Sequence, residues 1–266
     1  MKLAISNLAW ESSQEEAVFG LMKKYGYTGL EIAPTKVFPV EPYGNLAQAE
    51  KWAEDLRDLW QIEAVSLQSI WYGRKENLFA SAEDYAFLLD YTGQAINFAH
   101  VVGAKNLVFG CPKNRKLPAQ GNKETCNAAA EEFFHAVGEY AAEKGVTVSM
   151  EANPAIYDTN FINTTKEALK FIKKVDSAGL GLNLDVGTML ANKETVAVIA
   201  DETEAISHVH ISEPYLAVIE KRAMHKELAA LLRSKKYEGY VSIEMGKCAD
   251  LSTIERCMAY VRGVFG

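Results

Sequence analysis

Cysteine, positive charge and long apolar runs are all in short supply in this chain. Its four cysteines, Cys111, Cys126, Cys248 and Cys257, form no Cys-x-x-Cys pair and no Cys/His zinc spacing. So few in 266 residues point to reduced thiols in a cytosolic protein rather than to a disulfide framework. No run of about 18 apolar residues occurs, which excludes a membrane-spanning helix. Met1-Lys2 leads straight into a short alternating segment without the apolar stretch of a secretion signal, so a cytoplasmic location is expected. Lys and Arg number 28 against 35 Asp and Glu, a net charge of -7 with a pI near 5.4. That balance offers no footprint for nucleic acid, which needs a basic face or tail. Nucleotide cofactors have no support either: there is no P-loop, and Gly179-Leu-Gly181 lacks the third glycine of G-x-G-x-x-G.

What the chain has instead is regular alternation. Short period-two segments begin at Leu3, Gly29, Glu63, Asn106, Val146, Leu180, Ala205 and Tyr240. Segments of helical pattern separate them. Ser12 or Ser13 can cap the first, which stops near Gly26; others span about 47–60, 82–102, 124–144, 221–234 and 251–264. Thr164 or Thr165 caps one more, and a short helix is expected from Glu194. Strict strand-helix alternation implies a parallel sheet with right-handed crossovers. An open doubly wound sheet would be apolar on both faces of its central strands. Here the last four strands keep polar residues on one face, which suits a barrel with its site at the C-terminal rim. The expectation is α/β, a single (β/α)8 TIM barrel forming one domain over residues 1–266, since about 250 residues make such a barrel.

Four strand ends carry the chemistry. Ala205-Ile-Ser-His-Val-His-Ile-Ser-Glu-Pro-Tyr215 places His208, His210 and Ser212 on one strand face, with Ser207, Val209 and Ile211 on the other. Three other segments repeat the design and finish in a carboxylate: Glu151, Asp185 and Glu244. The steps from 151 to 185, 210 and 244 are 34, 25 and 34 residues, each about one strand-helix unit, which predicts equivalent heights on consecutive strands. Taken singly, each acid also fits a loop cap or an ion pair. Together with His210 they make an oxygen-rich site suited to one divalent metal: Mn²⁺, Mg²⁺, Co²⁺ or Zn²⁺.

The signatures Ser149-Met-Glu151-Ala-Asn-Pro154, Asn183-Leu-Asp185-Val-Gly-Thr188, His208-Val-His210 and Ser242-Ile-Glu244, with Tyr27-Thr-Gly-Leu-Glu31, resemble the xylose-isomerase-like barrels. These include sugar isomerases, ketose 3-epimerases and endonuclease IV. The resemblance implies Glu151, Asp185, His210 and Glu244 as metal ligands. It also implies Glu151 and Glu244 as an acid/base pair that moves a proton through a metal-stabilised enediolate. Two positions depart from the family pattern: Thr188 stands where a His is common, and Leu216 where ketose 3-epimerases carry Arg. Both point away from a free ketose. The endonuclease branch needs further His ligands after strands three and four, and Gln68-Ser-Ile70 and Phe109-Gly-Cys111 have none.

Secondary candidates surround this set. His208 is expected below His210, as a support or a further ligand. His225 begins a helix above the barrel, where it would touch substrate or simply face solvent. Glu31 and Gln68 face inward on strands two and three, to bind sugar hydroxyls or fill the barrel. Arg74, Lys113 and Arg115, with Lys116, put cations on two rim loops, to hold a sugar phosphate or to stand solvated. Trp71, Tyr72 and Tyr157 would stack on a sugar face or anchor their loops. The leading expectation is a metal-dependent sugar or sugar-phosphate isomerase/epimerase with a small-molecule partner, and a homo-oligomer is left open. The alternatives are a metal-assisted hydrolase of the endonuclease type and a non-catalytic sugar-binding barrel.

Overall fold

The computed structural model describes residues 1–266, and its eight strands close into one parallel barrel in sequence order. The strands are β1 Lys2–Ser6, β2 Gly29–Ile32, β3 Glu63–Leu67 and β4 Asn106–Phe109. They continue as β5 Thr147–Glu151, β6 Leu180–Asp185, β7 Ile206–Ile211 and β8 Tyr240–Ile243. Around them run α1 Glu15–Tyr25, α2 Pro34–Val37, α3 Leu46–Trp60, α4 Ala82–Val102 and α5 Lys123–Glu143. The ring is completed by α6 Thr165–Val175, α7 Val186–Ala191, α8 Ala223–Ser234 and α9 Leu251–Phe265. No helix is long and apolar enough to cross a membrane.

Local chemistry accounts for these boundaries. Ser81 caps α4 by accepting from the Asp84 N–H, and Thr164 and Glu167 form a reciprocal capping box on α6. Gly26 and Gly103 end α1 and α4 in the left-handed conformation. The helix expected from Glu194 is displaced. The Asp185 carboxylate accepts from the N–H groups of Gly187 and Thr188, so α7 starts directly after β6. Glu194 instead accepts from the Thr165 N–H and hydroxyl at the start of α6. Beyond it, Val196–Ile199 makes only a 3-10 turn.

The register decides what lies at which height. A TIM barrel has a shear of about eight, so register climbs roughly one residue per strand and inward side chains stack in layers from alternate strands. One layer holds Ser6, Gln68, Glu151 and His210; the layer below holds Glu31, Val108, Asn183 and Ser242. Asp185 and Glu244 lie one layer above Glu151 and His210. The four predicted ligands therefore occupy two adjacent layers rather than one, because odd and even strands interleave. A second difference is at Ser207. A register shift between β6 and β7 turns it inward, where its hydroxyl lies 2.6 Å from that of Ser149. With Asn106 and Ser66, these hydroxyls fill the barrel floor with hydrogen bonds.

Candidate active site

His210, fully buried, is the centre of the site. Its Nε2 lies 2.9 and 3.0 Å from the two carboxylate oxygens of Glu31 on β2. Its Nδ1 faces upward, 3.3 Å from Glu151 Oε2 and 3.2 Å from Glu244 Oε2. The Asn183 amide stands 3.1 Å from Nδ1 and donates to Glu151 Oε2 at 2.8 Å. Nδ1 is thus ringed by two carboxylates and one amide, while Nε2 faces Glu31. Burial alone would lower the His210 pKa, but the carboxylates of Glu31 and Glu244 outweigh it and raise it well above the usual range. Burial likewise pushes up Glu31, and the two imidazoles overcome it and hold that carboxylate ionised.

Glu151 is fixed from two sides. Asn153 donates to its Oε1 at 2.6 Å, opposite the Asn183 bond to Oε2. Gly110 at the end of β4 makes space for it: a Cβ there would lie 2.9 Å from Glu151 Oε1. Glu244 follows β8, its N–H bonded to the Ile211 carbonyl at 3.0 Å. Burial, opposed by His210 and helped by Glu151 and Asp185, pushes the Glu244 carboxyl up to about 7. Asp185 is raised by burial first and by Glu151 second. Its oxygens are engaged with the start of α7, the Thr188 hydroxyl at 2.9 Å and the Ser212 hydroxyl. Thr188 also donates to the Ala152 carbonyl at 2.8 Å, tying the loops after β5 and β6 together.

Glu151, Asp185 and Glu244 line one cavity of about 220 Å³ with Gln68, Asn153, Tyr157 and Leu216. Two sets of potential ligand atoms lie within 4.8 Å of one another: Glu151, His210 and Glu244 at the cavity, and Glu31, His208 and His210 beneath it. Three non-glycine residues at the rim, Ser69, Cys111 and Leu216, have φ of 54°, 44° and 53°. Left-handed backbone is costly for such residues and gathers at functional sites.

Other predicted residues fall elsewhere. Glu31 and His208 are buried below the cavity, not in it, with Glu31 Oε2 2.7 Å from His208 Nε2. Gln68 reaches both levels, donating to Glu31 Oε1 at 3.0 Å while lining the cavity. Arg115 is not a rim cation. It is fully buried, donating to the Glu151 carbonyl and Asn153 Oδ1 at 2.8 Å, because the loop after β4 folds it back under the rim. Lys113 is exposed and lines a separate surface depression with Lys116. Arg74 stays at the rim, over the Tyr91 ring. His225 faces neither substrate nor solvent: it is buried between α8 and α9, 3.0 Å from the Tyr260 hydroxyl. Trp71 anchors its loop in the core through Thr92, whereas Tyr72 is exposed and Tyr157 lines the cavity. Asn153, Asn183 and Ser212 position the acids, a role that residue type alone does not mark. Asn183 and Asn153 sit two residues before Asp185 and after Glu151, a signal of shared facing that spacing alone carries.

With this geometry in hand, comparison with known proteins is specific. A family described as xylose isomerase-like TIM barrel matches residues 19–256. The chain belongs to that family. A ketose 3-epimerase of Arthrobacter globiformis is 32% identical over 80 residues, 30% of this chain and 27% of that protein. D-psicose 3-epimerase from Clostridium cellulolyticum H10, solved with D-tagatose, superposes with a TM-score of 0.81 at 17% identity, over 100% of this chain and 99% of the other. The 3-keto-D-glucoside 4-epimerase of E. coli gives 0.79 at 18% identity, over 99% of both chains. These structural likenesses establish the shared fold.

Proposed function

We propose that this barrel is a divalent-metal-dependent isomerase or epimerase of ketose-type sugars, moving a proton at a carbon next to a carbonyl. The observation that carries it is two glutamates, Glu151 and Glu244, converging on one imidazole nitrogen in a single small cavity. Ketose and keto-sugar epimerases among the similar proteins support the same substrate class.

The donor set fits a cation. Three carboxylates, from Glu31, Glu151 and Glu244, surround His210 and call for positive charge beside Nδ1. With the ring proton on Nε2 towards Glu31, the Nδ1 lone pair would point at the same place as the two carboxylates and could be taken by a cation. Glu151, His210 and Glu244 would hold it, with Asp185 completing the set from the same cavity. When bound, a divalent ion acts as a Lewis acid, stabilising the negative charge that develops on a carbonyl oxygen.

The protein's own groups then divide the work. Glu31 keeps the proton of His210 on Nε2 and so aims Nδ1 into the cavity. Asn153 and Asn183 hold the Glu151 carboxylate in one orientation. One of the glutamates takes the proton from the substrate carbon, leaving an enediolate, and the other returns a proton to it. Thr188 and Ser212 lock Asp185 to the neighbouring loops.

Solvent deuterium entering a carbon-bound position of a ketose, with Mn²⁺, Mg²⁺, Co²⁺ or Zn²⁺ added, is the expected result, read by mass spectrometry. Glu151→Gln or His210→Ala lowers metal content in elemental analysis. An inert outcome across ketoses and their phosphates, with metal retained, would leave a barrel that binds sugars without turning them over.

A further inference from the structure

Beside the small cavity lies a much larger one, of about 1020 Å³, between the loops that follow β2 and β3. The two share Ser69 and Leu216 as walls, so they are compartments of one mouth. The inner compartment is smaller than the roughly 300–1,000 Å³ of a typical drug-sized site. The outer one is at the upper end of that range.

Its chemistry is unlike that of the inner cavity. Tyr72 is 71% exposed and Phe87 is 40% exposed, and both present rings to the groove. Phe87 stacks on Tyr91, with centroids 5.8 Å apart and planes at 13°. The Arg74 guanidinium lies 5.3 Å from the Tyr91 ring centroid. Its loop is held from outside, Asn114 donating to the carbonyls of Arg74 and Glu76 at 3.1 and 2.8 Å. Charge in the groove is nearly balanced. Glu41 and Arg74 both line it, and the Lys36 ammonium is spent on the carbonyls of Asn7 and Trp10. Exposed aromatic faces with planar polar groups, and no surplus of either sign, suit a neutral sugar ring and not a phosphate.

We infer that the outer groove is a second sugar subsite, so that the substrate is a glycoside or disaccharide whose ketose ring enters the inner cavity. This rests on the proposed epimerase reading for the inner ring only. The linking oxygen passes between Ser69 and Leu216, whose shared left-handed backbone shapes the constriction. Tyr72, at the groove wall, stacks on the outer ring.

The test is calorimetric binding and deuterium exchange with four probes: fructose, fructose 6-phosphate, and isomaltulose and lactulose, which carry a second hexosyl ring on O6 or O4 of fructose. At least one disaccharide is expected to bind tenfold or more tightly than fructose. Tyr72→Ala should weaken that disaccharide at least tenfold more than it weakens fructose, with an unchanged melting temperature because the ring is exposed. Arg74→Gln serves as the second variant. Equal binding of fructose and both disaccharides, or a preference for the phosphate, overturns the subsite. Disaccharide binding that depends on Tyr72 but admits no deuterium overturns the epimerase reading and leaves the subsite standing. Exchange into fructose without tighter disaccharide binding does the reverse.

Discussion

The two halves of the barrel interior differ in what they bring to the rim. β5 to β8 deliver Glu151, Asn183, Asp185, His210 and Glu244 within three adjacent layers. At the same levels β1 to β4 deliver Ser6, Glu31, Gln68, Val108 and Gly110, and open sideways into the large groove. One half concentrates charge and the other makes room for it and for a ligand. The single carboxylate of the first half, Glu31, crosses the interior to hold both histidines of β7, 179 residues away from His210. A reactive centre built on one side of a barrel thus still depends on the other side for the orientation of its central ring.

The sharpest way to break this contrast is Glu244→Gln, on the charged side. It should lower deuterium exchange by about 10²–10⁴-fold, the usual worth of a positioned acid or base, with the fold retained by circular dichroism. Next comes Glu31→Gln, on the opposite side. Removing the anion between two buried imidazoles should weaken metal binding about 10–100-fold. It should also cost about 3–5 kcal/mol of stability in urea unfolding; a neutral result would mean that Glu31 does not orient His210. Gly110→Ala tests the room-making half. The new Cβ meets Glu151 Oε1 at 2.9 Å, so exchange should fall on the order of tenfold, within the roughly 10²-fold a small misplacement can cost. Unaltered exchange would show that Glu151 has slack.

The smallest effect lies outside both halves. Burial holds the His225 pKa down to about 4, against an ordinary value of 6.5. Unfolded chains therefore bind the proton first: the contribution is complete above pH 6.5 and is lost as pH falls towards 4. Between pH 7 and 5 this amounts to at most about 2 kcal/mol. His225→Phe should flatten the acid side of the urea-unfolding profile by that amount, and an unchanged profile would remove His225 from the account.

Period-two polarity was enough to find the barrel and the four strand-end residues, because side chains alternate with fixed period along a strand whatever surrounds it. It also placed Glu31, Gln68 and His208 facing inward. Heights were not legible: Glu151 pairs with Asn183 and Asp185 with His210, a register set by shear and by the shift at Ser207. Loop residues were less legible still. Arg115 reads as a rim cation beside Lys113, yet the chain turns at Cys111 and buries it under Glu151. His225 reads as a surface helix residue, but α9 packs over it.

By itself, then, the sequence determined the strand-helix order, the face of the strand residues other than Ser207, and the residue types gathered at the rim. These follow from local geometry, in which each residue needs only its neighbours in the chain. The tertiary structure alone decided that Glu31 orients His210, that two asparagines clamp Glu151, and that the mouth has two compartments. Those depend on barrel tilt and on loops meeting across long separations, which local periodicity does not encode.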